Sequence, residues 1–137
     1  MTIIDRLGGI ELFSELNAKE VRRLASFMTT VTIAQGRDLT VQGAPGREFM
    51  IIGEGEASVR RNGRLIATLG PGDFFGELAL IAGVARTATV TAETPMVVEA
   101  LNRREFSTVL DENPRIARKI LVGAVKRLHE IEEGIVR

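Results

Sequence analysis

Hydrophobic positions recur with two different periods along this chain, and the first segment follows the helical one. Apolar residues are spaced by three or four at Val21, Leu24, Ala25 and Met28. Asn17 and Glu20 form a capping box, in which each side chain can bond the backbone amide of the other. The pattern predicts a helix over 18–28 within an N-terminal helical segment, residues 1–28.

From Thr29 the period changes to two, and short β-prone segments alternate with turns that contain glycine. The strands predicted in this way are 31–33, 39–41, 49–52, 57–60, 65–69, 88–92 and 97–101. Asn62-Gly63 is the strongest hairpin signal, because a type I′ turn needs two residues that tolerate positive φ. Strands at this near-regular spacing indicate an antiparallel sandwich or barrel over 29–102.

The last segment, residues 103–137, returns to the helical period. A helix is expected over 103–110, followed by Asn113 as a cap and Pro114 at the first position of a second helix. One apolar stripe runs along that helix through Ile116, Ile120, Ala124, Leu128, Ile131 and Ile135. A helix of about 20 residues is ~30 Å long, which exceeds what is needed to cover one end of a small barrel.

Composition sets limits on the class of protein. A chain of 137 residues with 45% hydrophobic and 26% charged residues is typical of one folded domain, residues 1–137, rather than of a disordered chain. Eighteen basic and eighteen acidic residues give no net charge. Because no general electrostatic attraction results, we predict no non-specific binding to DNA and none to a membrane.

The chemistry that the side chains offer is also limited. The chain has no cysteine and one histidine, His129, so it lacks a thiolate nucleophile and a multi-histidine metal site. No nucleophile, base and orienting group come together in the sequence, and no apolar run is long enough to cross a bilayer. We therefore predict a cytoplasmic protein that is not an enzyme and holds no metal or cofactor.

The most informative segment is the cassette, residues 75–90, with the sequence FGELALIAGVARTATV. It predicts a short helix that begins at Leu78, whose free amides can bind an anion together with the side chains of Arg86 and Thr87. Glu77 would repel that anion, so it is better placed to accept from a hydroxyl such as a ribose 2′-OH. A nucleotide carries both groups. The alternative is an internal Glu77–Arg86 ion pair that fastens the segment to the barrel.

These residues closely resemble the phosphate-binding cassette of the cyclic nucleotide-binding domain family, which includes regulatory subunits of cyclic-AMP-dependent protein kinase, catabolite activator protein and cyclic-nucleotide-gated channels. The resemblance extends over nearly the whole chain. It implies a mainly β fold with flanking helices: an eight-stranded antiparallel β-roll, or jelly roll, with N-terminal helices, the inserted cassette helix and two C-terminal helices.

The resemblance also implies a role for each cassette residue. Glu77 would bind the ribose 2′-OH and Arg86 the exocyclic phosphate oxygens. The remaining ligand-binding positions would supply backbone amides or room for close approach, and they are Gly76, Leu78, Ala79, Thr87 and Ala88.

The purine would lie against aliphatic side chains, although core filling is the more usual role of inward aliphatic residues in a barrel. Val59, Ile66 and Leu69 match positions that wall the base in relatives. The chain has no tryptophan or tyrosine to stack on the base. An aliphatic residue of the final helix, Leu128 or Ile131, would have to take that place.

The identity of the base is left open. The positions that bind adenine in catabolite activator protein are Ile131 and Glu132 in this chain. A hydroxyl such as that of Thr87 follows the cassette arginine in cyclic-GMP binders and also in bacterial cyclic-AMP binders. We favour cyclic AMP over cyclic GMP as the ligand.

The expected function is that of a signal sensor, in which ligand binding repositions the C-terminal helix and thereby affects a protein effector. The chain has no room for a helix-turn-helix module, so we expect no DNA binding by this chain. Its apolar stripe suggests a homodimer through the C-terminal helix, or equally packing onto the barrel. Met1 favours a stand-alone protein over a regulatory domain of a larger receptor. A ligand-free interaction module is a further alternative.

Overall fold

The computed structural model describes residues 2–136, and the side chains of residues 2–131. Three helical segments come first, and they are α1 (Ile3–Gly8), a 3-10 turn (Glu11–Phe13) and α2 (Ala18–Phe27). Eight strands follow, and they are β1 (Thr29–Ile33), β2 (Asp38–Thr40), β3 (Glu48–Glu54), β4 (Ala57–Arg61), β5 (Arg64–Leu69), β6 (Phe74–Phe75), β7 (Thr89–Ala92) and β8 (Met96–Asn102). The remaining helices are α3 (Glu77–Ala82), between β6 and β7, and α4 (Arg103–Glu112) and α5 (Pro114–Val136) at the C-terminal end.

The strands form two antiparallel sheets of four. One sheet has the order β1-β8-β3-β6 and the other the order β2-β7-β4-β5. The predicted hairpin is present, with Arg61 opposite Arg64 and with φ of 53° at Asn62 and 77° at Gly63. The predicted β-roll with flanking helices is thus confirmed.

Two apolar clusters hold the molecule together, and β3 contributes to both. Met50 and Ile52 point between the sheets, where they pack with β7 and β8. Phe49 and Ile51 point to the opposite face, where α1, α2, α4 and the first half of α5 cover them. Because both faces of β3 are buried, its sequence is a continuous apolar run instead of an alternating one.

The observed elements differ from the sequence prediction mainly where the signal is short. Helix α1 lies in the predicted N-terminal helical segment, but no bounds were predicted for it and β6 was missed, because six and two residues are too few to show a period. Helix α2 ends at Phe27 instead of Met28, and β2 is displaced by one residue to Asp38–Thr40. Such end effects are common, since terminal residues have few partners to fix them.

The apolar stripe of α5 is divided between different surroundings. Ile116, Ile120 and Ala124 are buried against the N-terminal helices, α4 and β3. Leu128 is 49% exposed, whereas Ile131 lines a cavity beside the cassette. Ile135 lies outside the described side chains. The stripe therefore packs onto the domain in its first half, as one of the two alternatives expected.

Candidate functional site

A cavity of about 760 Å³ lies between the cassette, strands β4 and β5, and the second half of α5. This volume is within the ~300–1,000 Å³ typical of small-molecule sites. All seven cassette residues proposed as ligand-binding line it, namely Gly76, Glu77, Leu78, Ala79, Arg86, Thr87 and Ala88. The structure therefore brings these seven positions together around one cavity.

Gly76 shapes the entrance to the cassette helix. Its φ of 96° is in the left-handed region, and it is the N-cap of α3, which begins at Glu77 instead of the predicted Leu78. A Cβ at this position would lie 2.6 Å from the carbonyl oxygen of Glu48 and 2.7 Å from Nη1 of Arg86. No side chain caps α3, so its first amides are not bonded by a capping side chain.

Arg86 is buried and is held by backbone carbonyl groups. Its Nη2 donates to the carbonyl oxygen of Glu48 at 2.8 Å and its Nη1 to that of Gly76 at 3.3 Å. Burial lowers the pKa of Arg86, while the nearby carboxylates of Glu48 and Glu77 oppose that shift. Because these bonds use two of the five guanidinium N–H groups, the others can still bind an anion. Gly46 leaves room for the group, since a Cβ there would lie 3.0 Å from Cζ of Arg86.

Glu77 does not form the ion pair with Arg86 that was one alternative. Its carboxylate, 1% exposed, accepts from Nη1 of Arg127 at 2.5 and 2.6 Å. Arg127 also donates through Nη2 to the carbonyl oxygen of Phe74, and its guanidinium lies over the Phe74 ring, 5.0 Å from the centroid. The acid of the cassette is therefore bonded to α5.

Close packing brings α5 to that position. Gly123 is one turn before Arg127, and a Cβ on it would lie 2.9 Å from Cζ of Phe74. The absence of a side chain at Gly123 lets the helix approach the Phe74 ring, while Arg127 bonds Phe74 and Glu77. Two successive turns of α5 thus contact Phe74, and the second of them also bonds the cassette at Glu77.

The family is decided by comparison with known sequences. A sequence model described as "Cyclic nucleotide-binding domain" matches residues 30–113, more than half of the chain. The chain belongs to the cyclic nucleotide-binding domain family. Membership in a family of binding domains confirms the resemblance and the prediction that this domain is not an enzyme.

Relatives of this cyclic nucleotide-binding domain include kinase subunits. The cAMP-dependent protein kinase regulatory subunit of Yarrowia lipolytica is 35% identical over 103 residues, which are 74% of this chain and 28% of that protein. The corresponding subunit of Schizosaccharomyces pombe is also 35% identical, over 102 residues. The chain spans about a quarter of the length of these curated relatives.

Solved structures show the same fold. A structure titled "Sp-2Cl-cAMPS bound to PKAR CBD2" has a TM-score of 0.80 at 26% identity and covers 93% of this chain and 88% of its own. The regulatory subunit of a cAMP-independent protein kinase A from Trypanosoma brucei has a TM-score of 0.85 at 26% identity and covers 99% of this chain and 51% of its own. The same fold therefore occurs in a domain with bound Sp-2Cl-cAMPS and in a subunit of a kinase described as cAMP-independent.

The predicted purine wall is only partly assembled around the cavity. Val59, Ile66, Leu69 and Ile131 line it, whereas Leu128 is not among the lining residues and points to solvent. The side chain of Glu132, the other position compared with adenine contacts, lies outside the described residues.

Sequence reasoning missed Arg127 as part of the site. Lys126, Arg127 and Glu130 together have the pattern of an exposed, charged helix edge. Nothing in the local sequence distinguishes Arg127, which bonds Glu77, from its charged neighbours. The signal that existed was Gly123, four residues earlier in a helix, because glycine inside a helix often marks a close approach.

The sequence predicts neither a metal site nor a membrane-spanning helix. Within residues 2–131, no group of three or more histidine, cysteine, aspartate or glutamate side chains has a geometry suited to a metal ion. No helix in the described range is both long and apolar enough to cross a membrane.

Proposed function

We propose that this domain binds a cyclic nucleotide, cyclic AMP in the first instance, and acts as a signal sensor through α5. The observation that carries the proposal is the meeting of Arg86 and Glu77 in one cavity, each buried and each held by bonds to a different part of the molecule. The similarity to regulatory subunits of cAMP-dependent protein kinase supports the choice of ligand.

The phosphate would lie against Arg86 and the start of α3. Arg86 retains guanidinium N–H groups beyond those that bind Glu48 and Gly76, and a charge-assisted bond to phosphate is among the strongest that a protein offers. Ala79 and Ala88 line the same part of the cavity and are small enough to leave space for the cyclic phosphate. Thr87 would complete this shell through its amide.

The ribose would be read by Glu77, and through Glu77 by α5. A 2′-hydroxyl that donates to the Glu77 carboxylate would share that group with Arg127, whose bonds now take both oxygens. Any change in the position of Glu77 would therefore alter its bonds to Arg127, and α5 would be displaced relative to the roll. A protein effector that contacts α5 would detect the displacement.

The test is thermal unfolding of the full chain with cyclic AMP, cyclic GMP and 5′-AMP in parallel. A ligand at ~100 times its Kd adds ~2.7 kcal/mol of stability, which is a rise of several degrees for a domain of this size. We expect a rise with cyclic AMP, a smaller one with cyclic GMP and none with 5′-AMP. The absence of any rise at millimolar cyclic nucleotide would contradict the proposal.

Arg86→Ala is the matching variant, and it should cost ~3–5 kcal/mol of affinity for cyclic AMP if the guanidinium faces the phosphate. Because Arg86 also bonds two carbonyl oxygens, Arg86→Lys is needed beside it to keep a positive charge in place. Arg60→Ala is the control, since Arg60 is exposed and pairs with Glu93 at 3.6 Å. Arg60→Ala should bind cyclic AMP as the unaltered chain does.

Two alternatives remain in the same experiment. Cyclic GMP as the preferred ligand would reverse the order of the two shifts, with Thr87 as the candidate contact. A ligand-free interaction module would show no shift with any of the three nucleotides. The cytoplasmic location stays a prediction that rests on the cysteine-free composition.

A homodimer through α5 would use a face that shares only Leu128 with the predicted stripe. Leu121, Val125 and Leu128 are each about half exposed and follow a spacing of four and three. This spacing puts valine at an a position between two leucines at d positions, a pattern that favours a parallel two-stranded coiled coil. Sedimentation over a concentration series should show a dimer that Val125→Lys abolishes, and a monomer throughout would contradict it.

A further inference from the structure

Two arginines outside the cassette line the mouth of the cavity. Arg61 is at the end of β4 and Arg64 at the start of β5, opposite each other across the hairpin. Each lies two residues from a proposed purine-wall residue on its own strand, since Val59 and Ile66 line the same cavity. The apolar wall therefore ends in a pair of guanidinium groups.

Arg60, the residue before Arg61, does not share this position at the cavity. Arg60 lies outside the cavity lining, and its Nη1 donates to the hydroxyl of Ser58 at 2.8 Å and lies 3.6 Å from the carboxylate of Glu93. In contrast, no carboxylate within residues 2–131 forms an ion pair with Arg61 or Arg64. Among the described side chains, none therefore neutralises by a direct pair the positive charge on the cavity face of the hairpin.

The hairpin that holds these arginines is tied to the roll. Nε2 of Gln42 donates to Oδ1 of Asn62 at 2.9 Å, and the amide of Asn62 donates to Oε1 of Gln42 at 2.8 Å. The amide of Gln42 in turn donates to Oγ1 of Thr89 at 3.0 Å, at the start of β7. The backbone that carries Arg61 and Arg64 is thus fixed relative to Arg86.

The charge that lines the cavity exceeds what a cyclic mononucleotide supplies. Four arginines and two glutamates are among the described lining residues, which leaves two positive charges in excess. Arg127 and Glu77 neutralise each other, and the carboxylate of Glu48 lies near Arg86, so among the described residues the lining charge without a nearby carboxylate partner is that of Arg61 and Arg64. A cyclic phosphate carries a single negative charge. With that charge at Arg86, the two arginines of the hairpin would complement one further anion.

We propose that Arg61 and Arg64 form a second phosphate subsite at the mouth of the cavity. The inference rests on the proposed function, because it assumes that one phosphate occupies the position at Arg86. Two guanidinium groups on facing strands suit the several acceptor oxygens of a phosphate. The phosphate belongs either to the same ligand, as in a cyclic dinucleotide, or to a separate inorganic phosphate bound beside a cyclic mononucleotide.

The experiment is calorimetric titration of the full chain with three probes: cyclic AMP, cyclic di-AMP, and cyclic AMP in the presence of inorganic phosphate. The variants are Arg61→Ala with Arg64→Ala, the corresponding double lysine variant, and Arg60→Ala as the matched control on the outward face. Circular dichroism checks that each variant is folded. Both altered side chains are at the solvent-facing end of the hairpin, where substitutions cost little stability.

If the subsite belongs to one large ligand, the double alanine variant should lose at least about tenfold in affinity for cyclic di-AMP, which is ~1.4 kcal/mol. Its affinity for cyclic AMP alone should change by less than about threefold, because a distant exposed charge is screened. The double lysine variant should recover part of the loss, and Arg60→Ala should behave as the unaltered chain.

If the second phosphate is a separate ion, inorganic phosphate should tighten cyclic AMP binding in the unaltered chain and in Arg60→Ala but not in the double alanine variant. The subsite is disproved if cyclic AMP binds normally while neither cyclic di-AMP nor inorganic phosphate gives an effect that depends on Arg61 and Arg64. That result leaves the proposed function intact. Failure of every cyclic nucleotide to bind the unaltered chain would overturn both.

Discussion

Glu77 and Glu99 are both buried carboxylates that bind an arginine from a helix, but their surroundings differ. Glu99, on β8, is fully buried beneath α1, and it accepts from Nε of Arg6 at 3.2 Å and from the hydroxyl of Thr30 at 2.6 Å. Glu77 faces a cavity, and its partner Arg127 retains 29% of its side-chain exposure.

The difference distinguishes an ion pair that only stabilises the fold from an ion pair that a ligand can reach. At Glu99 the carboxylate oxygens bond groups of the fold, and Gly53 lets Arg6 pass so closely that a Cβ would lie 2.7 Å from its Cδ. At Glu77 both oxygens bond one side chain that water and small molecules can reach. The Glu99–Arg6 pair beneath α1 is enclosed by the fold, whereas a ligand could replace the bonds of the Glu77–Arg127 pair beside the cavity.

The largest expected effect is at the enclosed pair. Glu99→Ala removes the carboxylate from a fully buried position and should lower the free energy of unfolding by about 3–5 kcal/mol, because an uncompensated charge in the interior is costly. Urea denaturation measures the loss. The folded fraction should still bind cyclic AMP with unaltered affinity, since Glu99 is not among the cavity residues.

Glu99→Gln serves as the control, because it keeps the shape and one acceptor oxygen while it removes the charge. It should lose less stability than Glu99→Ala. A variant that folds as stably as the unaltered chain, or one that is stable but loses ligand affinity, would mean that the two carboxylates do not differ in the way proposed.

Arg127→Ala is the next effect in size, about 1–2 kcal/mol of stability, because a charged hydrogen bond is lost where water can replace it. Unlike Glu99→Ala, it should also change the response to ligand, since it disconnects α5 from Glu77. Hydrogen exchange of α5 with and without cyclic AMP measures this. In Arg127→Ala the ligand-dependent change in α5 should disappear while binding persists, and its persistence would contradict a link through this ion pair.

The two pairs were not equally visible in the sequence. Glu77 lies in a motif whose spacing is specific, so the sequence predicts a ligand-binding role for Glu77 without reference to Arg127. Nothing marked Glu99, which is one charged residue within the apolar strand Met96–Asn102. An ion pair between residues 93 positions apart depends on how helices dock on sheets, and that information is not local.

Other parts of the fold follow the same rule. The Asn62-Gly63 turn and the Asn17 capping box were predictable, because the residues that determine them are adjacent in the chain. Strand β6, with two residues, and the split stripe of α5 were not, because each depends on the surface against which it packs. Cavity-lining Arg61 and Arg64 had the local pattern of an exposed turn.

Gly123→Ala should have a smaller net effect, a destabilisation of about 1 kcal/mol at the centre of a range of about 0–2 kcal/mol. Alanine improves helix propensity by ~1 kcal/mol, while the new Cβ would lie 2.9 Å from the Phe74 ring and force it to move, an overpacking cost of ~1–3 kcal/mol. Thermal unfolding measures the sum. Gly8→Ala is the control, because a Cβ there meets nothing within 4 Å and should stabilise α1. Equal stabilisation by both would show that α5 is not closely packed on Phe74.

The smallest effect is expected at an exposed pair, which completes the comparison. Arg23 on α2 donates from Nε and Nη2 to the two carboxylate oxygens of Glu112 on α4, at 2.5 and 2.7 Å. These hydrogen bonds lower the pKa of Glu112 from its usual value of 4.5 and raise that of Arg23. Solvent reaches both side chains, so the pair contributes far less than its short distances suggest.

The sign of its pH dependence follows from the lowered pKa. Because folded Glu112 holds its proton less tightly than the unfolded chain does, the pair stabilises the fold above the unfolded pKa, and this contribution is lost as the pH falls through the lower folded value. The difference in Tm between the unaltered chain and Glu112→Gln should therefore shrink from neutral pH to about pH 3. It should also shrink in ~1 M salt, where exposed charges are screened. A difference that persists under both conditions would mean that this surface pair is as sheltered as the one beneath α1.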